Sequence, residues 1–273
     1  MDLIFFDLDG TLLNDDSEIT PFTKDTLILL KEKNIAYTVA TGRTMLSAQH
    51  ILNGHDFDLP QIYNNGVTTW DPKNQRLSLK NLLSEAEIKK IIELAYTHGI
   101  TPFVNAIDNN HQHFIFHSET LHDIEKQLVH KYFSRTKAKL RSIASLPSNS
   151  QVTNISMIGA ADTINQMWLT ISKYENLIAY SGPALEGELY RWMDVHHCMA
   201  NKGTAVNNLR NELGSNNVIC FGDGDNDLSM FALADESYAP QNASSQIKDS
   251  ASAVIGHNHK DGIARFLRER FSL

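Results

Sequence analysis

The chain has only two cysteines in 273 residues, Cys198 and Cys220, so no disulfide framework can hold it together. It also lacks an excess of basic charge: 24 Lys and Arg stand against 32 Asp and Glu, for a formal net charge of -8. That balance excludes a sequence-independent nucleic-acid binder, which needs surplus lysine and arginine to neutralise phosphates. No apolar run approaches the roughly 18 residues of a membrane-spanning helix. Seven prolines and 14 glycines are too few for a fibrous or low-complexity chain. The opening MDLIFFDLDG lacks the basic start and long apolar stretch of a secretory signal, so the reading predicts a soluble, cytoplasmic protein. What is present is core material, 42% hydrophobic against 21% charged, in a length that allows one or two domains.

The first 66 residues alternate strand and helix signals. Leu3 to Phe6 is a short apolar run ending at a DG turn, the pattern of a strand buried on both faces. Thr20-Pro21 reads as the N-cap and first position of a helix over 21–33. A second buried strand is expected over 35–40, a helix over 44–52, and a third strand in QIYNNG. The C-terminal part repeats the style, with a helix over 203–213, a strand in NVICF, a helix in LSMFALA, short strands in ESYAP and SAVIG, and a closing helix in DGIARFLRERF. Together these pieces predict a doubly wound, mostly parallel Rossmann-like α/β core.

Residues 82–186 differ. Three helix patterns (SEAEIKKIIELAYTHG, SETLHDIEKQLVHKYF and ADTINQMWLTISKY) alternate with the strand-like runs HFIFH, VTNISMIG and LIAYSG, without a phosphate-binding glycine turn. They predict an inserted α+β domain on an open antiparallel sheet, between a core formed by 1–81 and 187–273. The charge divides accordingly. Nine basic residues face ten acidic ones in the insert, against fifteen and twenty-two in the rest.

Four segments carry chemistry. Asp7 and Asp9, spaced i and i+2 at the end of the first strand, point to one side, facing the crevice where open α/β sheets bind ligands. Like charges that close repel unless a cation or a proton separates them. The competing reading, a turn with exposed aspartates, does not explain the apolar run leading directly into the motif. Thr41-Gly42 after the second strand offers a hydroxyl and a close backbone approach for a phosphate. Alone it is no more than a turn and cap. Asp223, Asp225, Asn226 and Asp227 follow the NVICF strand and supply hard oxygen ligands suited to Mg²⁺. An EF-hand reading fails, because the later glycine and terminal glutamate are missing. Lys202 would be an ordinary surface lysine but for its place just before the strand that delivers Asp223.

In this combination the chain resembles the haloacid dehalogenase-like phosphatase superfamily, and within it the Cof-type hydrolases. The resemblance spans the chain: DLDGTL at 7–12, ATGR at 40–43, NG at 65–66, NKG at 201–203 and GDGDND at 222–227. Only 28 residues separate Thr11 from Ala40, whereas 135 separate Gly66 from Lys202, so the cap is the later insertion, as in the Cof-type group. The resemblance implies Asp7 as nucleophile of an aspartyl-phosphate and Asp9 as acid and base. It also implies Mg²⁺ on Asp7, Asp223 and the backbone carbonyl of Asp9. Thr41, Gly42 and Lys202 would hold the phosphoryl group, and Asp227, with Asn226, would orient the lysine or a water.

The expected activity is Mg²⁺-dependent hydrolysis of a small-molecule phosphate ester, sugar phosphates first. A sugar phosphomutase and a non-enzymatic phosphoacceptor module are the rival readings. Oligomeric state is left open. His196, His197 and Cys198 are read as loop residues, not as a zinc site. His111, His113 and His117 are read as exposed strand residues, Met167 and Trp168 as core, and Arg43 as an anchor of its helix.

Overall fold

The computed structural model describes residues 2–119, 122–131, 133, 136–184, 187 and 189–273. The chain divides into two compact units, Met1–Ser78 with Asn201–Leu273, and Leu79–Ala200.

The first unit is built on a five-stranded parallel sheet in the order β14-β13-β12-β1-β2. These strands are Ala253–Ile255, Glu236–Pro240, Asn217–Phe221, Asp2–Phe6 and Ala36–Val39 respectively. Successive residues of β1 face opposite sides, as a pleated strand requires. Ile4 and Phe6 join one core with Leu27, Leu30, Ile263 and Leu267. Leu3 and Phe5 join another with Val206, Leu209, Met230 and Ile247. Helices α1 (Pro21–Glu32), α2 (Met45–Leu52) and α9 (Gly262–Phe271) contribute to the first core. The second takes α6 (Lys202–Leu213), α7 (Leu228–Phe231) and α8 (Ser245–Ser250). A β1 buried on both faces explains its unbroken apolar run.

Local signals fix the helix starts. Thr20, Thr44 and Asn201 each accept a backbone N–H three residues on, from Thr23, Ser47 and Thr204. The third expected strand shrinks to β3 (Gln61–Tyr63), joined beside β2 by the parallel Ala40–Ile62 bridge. It also pairs with β4 (Thr68–Asp71), and β4 with β5 (Arg76–Leu79), a hairpin absent from the sequence reading. The helix expected through LSMFALA stops after one turn at Phe231.

The second unit carries a six-stranded sheet in the order β10-β11-β9-β6-β7-β8. These strands are Leu177–Pro183, Tyr190–His197, Val152–Ala160, Phe103–Ile107, His113–His117 and Lys139–Ser142. All neighbours are antiparallel except β7 and β8, which run parallel on either side of α4 (Asp123–Lys131). Helices α3 (Glu85–Thr97) and α5 (Ala161–Ile171) supply Ile88, Ile91, Ile164 and Met167 to its core. Part of the helix expected over 118–133 lies outside the described residues, as does Glu186, the expected end of the insert. The unit runs on to Ala200 because β11 pairs with β9 and β10.

That pairing also corrects the histidine reading. His196 and His197 close strand β11 instead of sitting in a loop, and His196 is buried. His111 occupies a turn with φ 61°, while His113 and His117 are half-buried at the two ends of β7. Burial pushes His113 down to about 4. Met167 is core, but Trp168 is 38% exposed and donates from Nε1 to the Ala179 carbonyl.

Gly203 sits where α6 passes α7. A Cβ there would lie 2.1 Å from the Ser229 carbonyl oxygen. Gly203→Ala should therefore force the two helices apart and cost about 1–3 kcal/mol. Chemical denaturation checks it; a midpoint equal to the parent's would contradict the packing.

Candidate active site

Parallel register brings three strand ends to one level. Phe6 of β1 pairs with Phe221 of β12 on one side and Val39 of β2 on the other. The residues that follow, Asp7, Gly222 and Ala40, leave the sheet side by side. Asp7 N–H still donates to the Phe221 carbonyl, and Ala40 N–H to that of Phe6. The chain then winds through Leu8–Leu12, with Gly10 in the left-handed region at φ 69°. Glycine is required there twice over, because a Cβ would also lie 2.2 Å from Asp223 Oδ2.

Lys202, the first residue of α6, is fully buried. Its Nζ donates to Asp7 Oδ1 at 2.6 Å and to Asp227 Oδ1 at 2.6 Å. Asp227 Oδ2 accepts the backbone N–H groups of Asp223 and Gly224, both at 2.9 Å. All of Asp227 is thus engaged in holding the lysine and shaping the GDGDND turn. Thr11 Oγ1 donates to Asp223 Oδ1 at 2.7 Å. One Asp7 oxygen and one Asp223 oxygen have no such donor among these contacts.

Carboxyl oxygens of Asp7, Asp223 and Asp227 all lie within 4.8 Å of one another. Burial raises the Asp7 pKa well above the usual carboxylate range, Lys202 opposes the rise, and Asp227 and Asp223 add to it. Asp223 is pushed up to about 6, first by burial and further by Asp227. Burial disfavours the charge on Lys202, but Asp227 and Asp7 outweigh it and its pKa is raised. Three carboxylates share one ammonium, an arrangement short of positive charge. Hard oxygens with two free acceptors suit Mg²⁺, so the donor set fits that ion on Asp7 and Asp223. The Asp9 side chain stands outside this cluster.

Both Asp9 oxygens are taken by Arg43, from Nε at 2.6 Å and Nη2 at 2.5 Å, a forked pair. Arg43 also reaches the Ser47 carbonyl in α2 at 3.4 Å, so it anchors its helix and grips Asp9 at once. Sequence reading caught only the first role. Thr41 is buried; its Oγ1 accepts Arg43 N–H at 3.1 Å and its carbonyl accepts Asn65 N–H. Asn65, with φ 53°, accepts from Asn226 Nδ2 through its side-chain oxygen at 2.9 Å. A Cβ on Gly42 would meet both amides at 3.3 Å. Thr41, Gly42, Asn65 and Asn226 therefore form one polar wall. Thr11 lay in plain sight inside DLDGTL. Asn65 had only the NG turn as a signal, and Asn242, which donates to the Gly10 carbonyl at 2.7 Å, had none.

Comparison with known proteins shows what the chain as a whole is similar to. Residues 4–267 match the family model described as haloacid dehalogenase-like hydrolase. An HMP-PP phosphatase of Escherichia coli O8 (strain IAI1) is 28% identical over 275 residues, covering 97% of this chain and 94% of its own. The pyridoxal phosphate phosphatase YbhA of Escherichia coli (strain K12) is 25% identical over 277 residues, covering 97% of each. Among solved structures, BT1666 from Bacteroides thetaiotaomicron aligns over 100% of this chain and 96% of its own, with a TM-score of 0.79 at 19% identity.

Removing the buried lysine should have two effects. Lys202→Met leaves Asp7 and Asp227 buried without their cation, a change that costs about 3–5 kcal/mol near neutral pH. Without the ammonium that opposes its rise, the folded-state pKa of Asp7 moves still further above its unfolded value, so the folded form binds more protons. Stability lost at pH 7 should then return as pH falls toward 5. Urea melts of parent and variant at both pH values test this; a deficit independent of pH would refute the buried-charge account.

Proposed function

The chain belongs to the haloacid dehalogenase-like hydrolase family, and we propose that it is a phosphatase that cleaves small-molecule phosphate monoesters through an aspartyl-phosphate on Asp7. The observation that carries the reading is the Asp7–Lys202–Asp227 chain, with Asp223 beside it, at the ends of neighbouring parallel strands. A phosphate dianion repels a carboxylate nucleophile, so a site that attacks it must gather positive charge first. Mg²⁺, held by Asp7, Asp223 and the Asp9 backbone carbonyl, would supply charge cancellation at the transferring phosphoryl group.

In the first step the Asp7 oxygen bonds to phosphorus as the bond to the leaving alcohol oxygen breaks. Asp9 gives that oxygen a proton. In the second, Asp9 takes a proton from water, whose oxygen bonds to phosphorus and displaces Asp7, releasing inorganic phosphate. Lys202 orients the Asp7 carboxylate through Oδ1, so that one oxygen would serve the cation and the other attack phosphorus. Because Arg43 occupies both Asp9 oxygens, proton donation requires that this pair open once a substrate is bound. Thr41 and the Gly42 backbone, backed by Asn65 and Asn226, make a polar wall suited to phosphoryl oxygens.

Choice of the alcohol is assigned to the second unit, residues 79–200, which contributes nothing to the acidic cluster. Sugar phosphates are the first class expected. Heteroaromatic phosphates stand beside them, given the pyridoxal phosphate for which the relative YbhA is named. Two free cysteines, Cys198 and Cys220, support a reducing, cytoplasmic setting.

Asp7→Asn should reduce release of inorganic phosphate from sugar and heteroaromatic phosphates alike to background, with the melting curve of a folded protein. Asp9→Asn should lose about 10²–10⁴ in rate on alkyl phosphates, whereas p-nitrophenyl phosphate, whose leaving group needs no proton, should still give a rapid burst of p-nitrophenol before the second step, which also lacks its base, limits turnover. Wild-type turnover by Asp7→Asn would end the covalent reading, and isomerised product without free phosphate would favour a mutase.

Chelation with EDTA should silence turnover, and Mg²⁺ should restore it, since the free donors in the cluster are carboxylate oxygens. Steady-state rates before and after dialysis decide this. Full activity in excess chelator would remove Mg²⁺ from the scheme.

A further inference from the structure

We propose that Asn53 is a site of spontaneous deamidation, where the folded protein turns an amide into a carboxylate without an enzyme and so loosens the end of α2. The chain holds two Asn-Gly pairs, Asn53-Gly54 and Asn65-Gly66. In such a pair the glycine nitrogen can attack the asparagine side chain, because no Cβ hinders its approach. The fold leaves one pair free to react and closes the other.

Asn53 and Gly54 are both exposed, in the turn that follows α2. Among the described residues nothing bonds to the Asn53 side-chain amide or to the Gly54 N–H. A Cβ on Gly54 would meet no atom within 4 Å, and its φ of 81° is one that glycine adopts readily. Attack requires rotation about Asn53 ψ, 128° here, and the bond that opposes it is the 3.2 Å one from the His55 N–H to the Leu52 carbonyl. Exposed turns of small and polar residues are where a folded chain is most open to such change. Asn65-Gly66 is the internal contrast. Asn65 is 2% exposed, donates from its backbone to the Thr41 carbonyl, and accepts from Asn226 Nδ2. A Cβ on Gly66 would lie 2.8 Å from the Asn201 carbonyl oxygen, so that peptide has no room to turn.

The reaction balances with water alone. The Gly54 nitrogen gives up its proton and bonds to Asn53 Cγ, while the Cγ–Nδ2 bond breaks and Nδ2 leaves with that proton as ammonia. A five-membered cyclic imide remains. Water adds to one of its two carbonyls, and the ring opens to aspartate or, with one more atom in the backbone, to isoaspartate. Either product puts a negative charge at the carbonyl end of α2, where it opposes the helix dipole. It also joins two acids, Asp56 and Asp58, that already share Lys31 at 3.4 and 3.0 Å. Isoaspartate lengthens the turn as well. That turn ties α2 to the core through the His55 carbonyl, which accepts the Tyr37 hydroxyl, and through Phe57, whose ring packs edge-on against Tyr37 at 5.3 Å.

The test is incubation of the full chain at pH 6 and pH 9, then proteolysis and fragment mass spectrometry to locate any new acid, with the urea-unfolded chain as reference. Unfolded, both pairs should lose ammonia. Folded, position 53 should outpace position 65 by an order of magnitude or more, react faster at pH 9 than at pH 6, and yield both aspartate and isoaspartate. Aged protein should melt at a lower temperature than fresh protein, and Asn53→Asp should reproduce the part of that loss due to charge. Asn53→Gln, whose longer side chain closes an imide ring far more slowly, should keep both its amide and its melting temperature. An amide at 53 that persists in the folded chain while the unfolded chain loses it, or equal rates at the two positions, would overturn the site. A melting temperature unchanged once the acid is in place would overturn the loosening of α2.

Discussion

A single buried ammonium governs the first unit. Lys202 has no exposure, and among the described residues its side chain pairs with two carboxylates that are themselves buried. Its position breaks local rules, since it is the first residue of α6 and a positive charge there opposes the helix dipole. Desolvation opposes the charge as well. What offsets both is proximity to Asp7 and Asp227, and that proximity exists only if β1, β12 and the start of α6 are all in place. A residue that would be poor anywhere else is here the point at which separate segments of the sheet agree.

The converse holds for the carboxylates. Asp7, Asp223 and Asp227 repel one another at this range, and nothing in their own interactions would assemble them. The sheet does it, with two apolar cores on its opposite faces and a register that places three strand ends level. Stability of the sheet is thus set against the instability of its acidic edge. The same excess of negative charge is what a divalent cation would relieve in the proposed site.

Much of this was legible in the order of residues. Apolar runs bounded by DG, TG and GDG turns located β1, β2 and β12, because strands buried on both faces leave no other pattern. Asp7, Asp223 and Asp227 were legible for the same reason, each following such a run, and Lys202 through its place ahead of the strand that delivers Asp223. The β4–β5 hairpin was not, since TTWD and RLSL are short and carry no alternation strong enough to stand out. The end of the insert was misjudged because YRWMDVHH mixes charge into a strand and so reads as loop. Arg43, Asn65 and Asn242 were invisible as site residues for a different reason. Their partners are 34, 161 and 232 positions away, and no local pattern encodes such pairings.

Those long-range contacts also bear on how, in the proposed mechanism, Asp9 could change partner beside a fixed Asp7. The backbone around Asp9 is held on each side: Asn242 grips the Gly10 carbonyl, Asn258 the Leu13 carbonyl, and Thr11 reaches Asp223. Asp7 is locked by Lys202 and by its own N–H to β12. The Asp9 side chain alone is 54% exposed, and Arg43 is the cation it pairs with. An exposed ion pair of this kind contributes little net stability, so its opening costs little. Freedom is thereby confined to one side chain and the guanidinium that holds it. In the proposed mechanism, a proton donor that serves two successive steps needs that freedom, and a nucleophile that stays in line with phosphorus cannot have it.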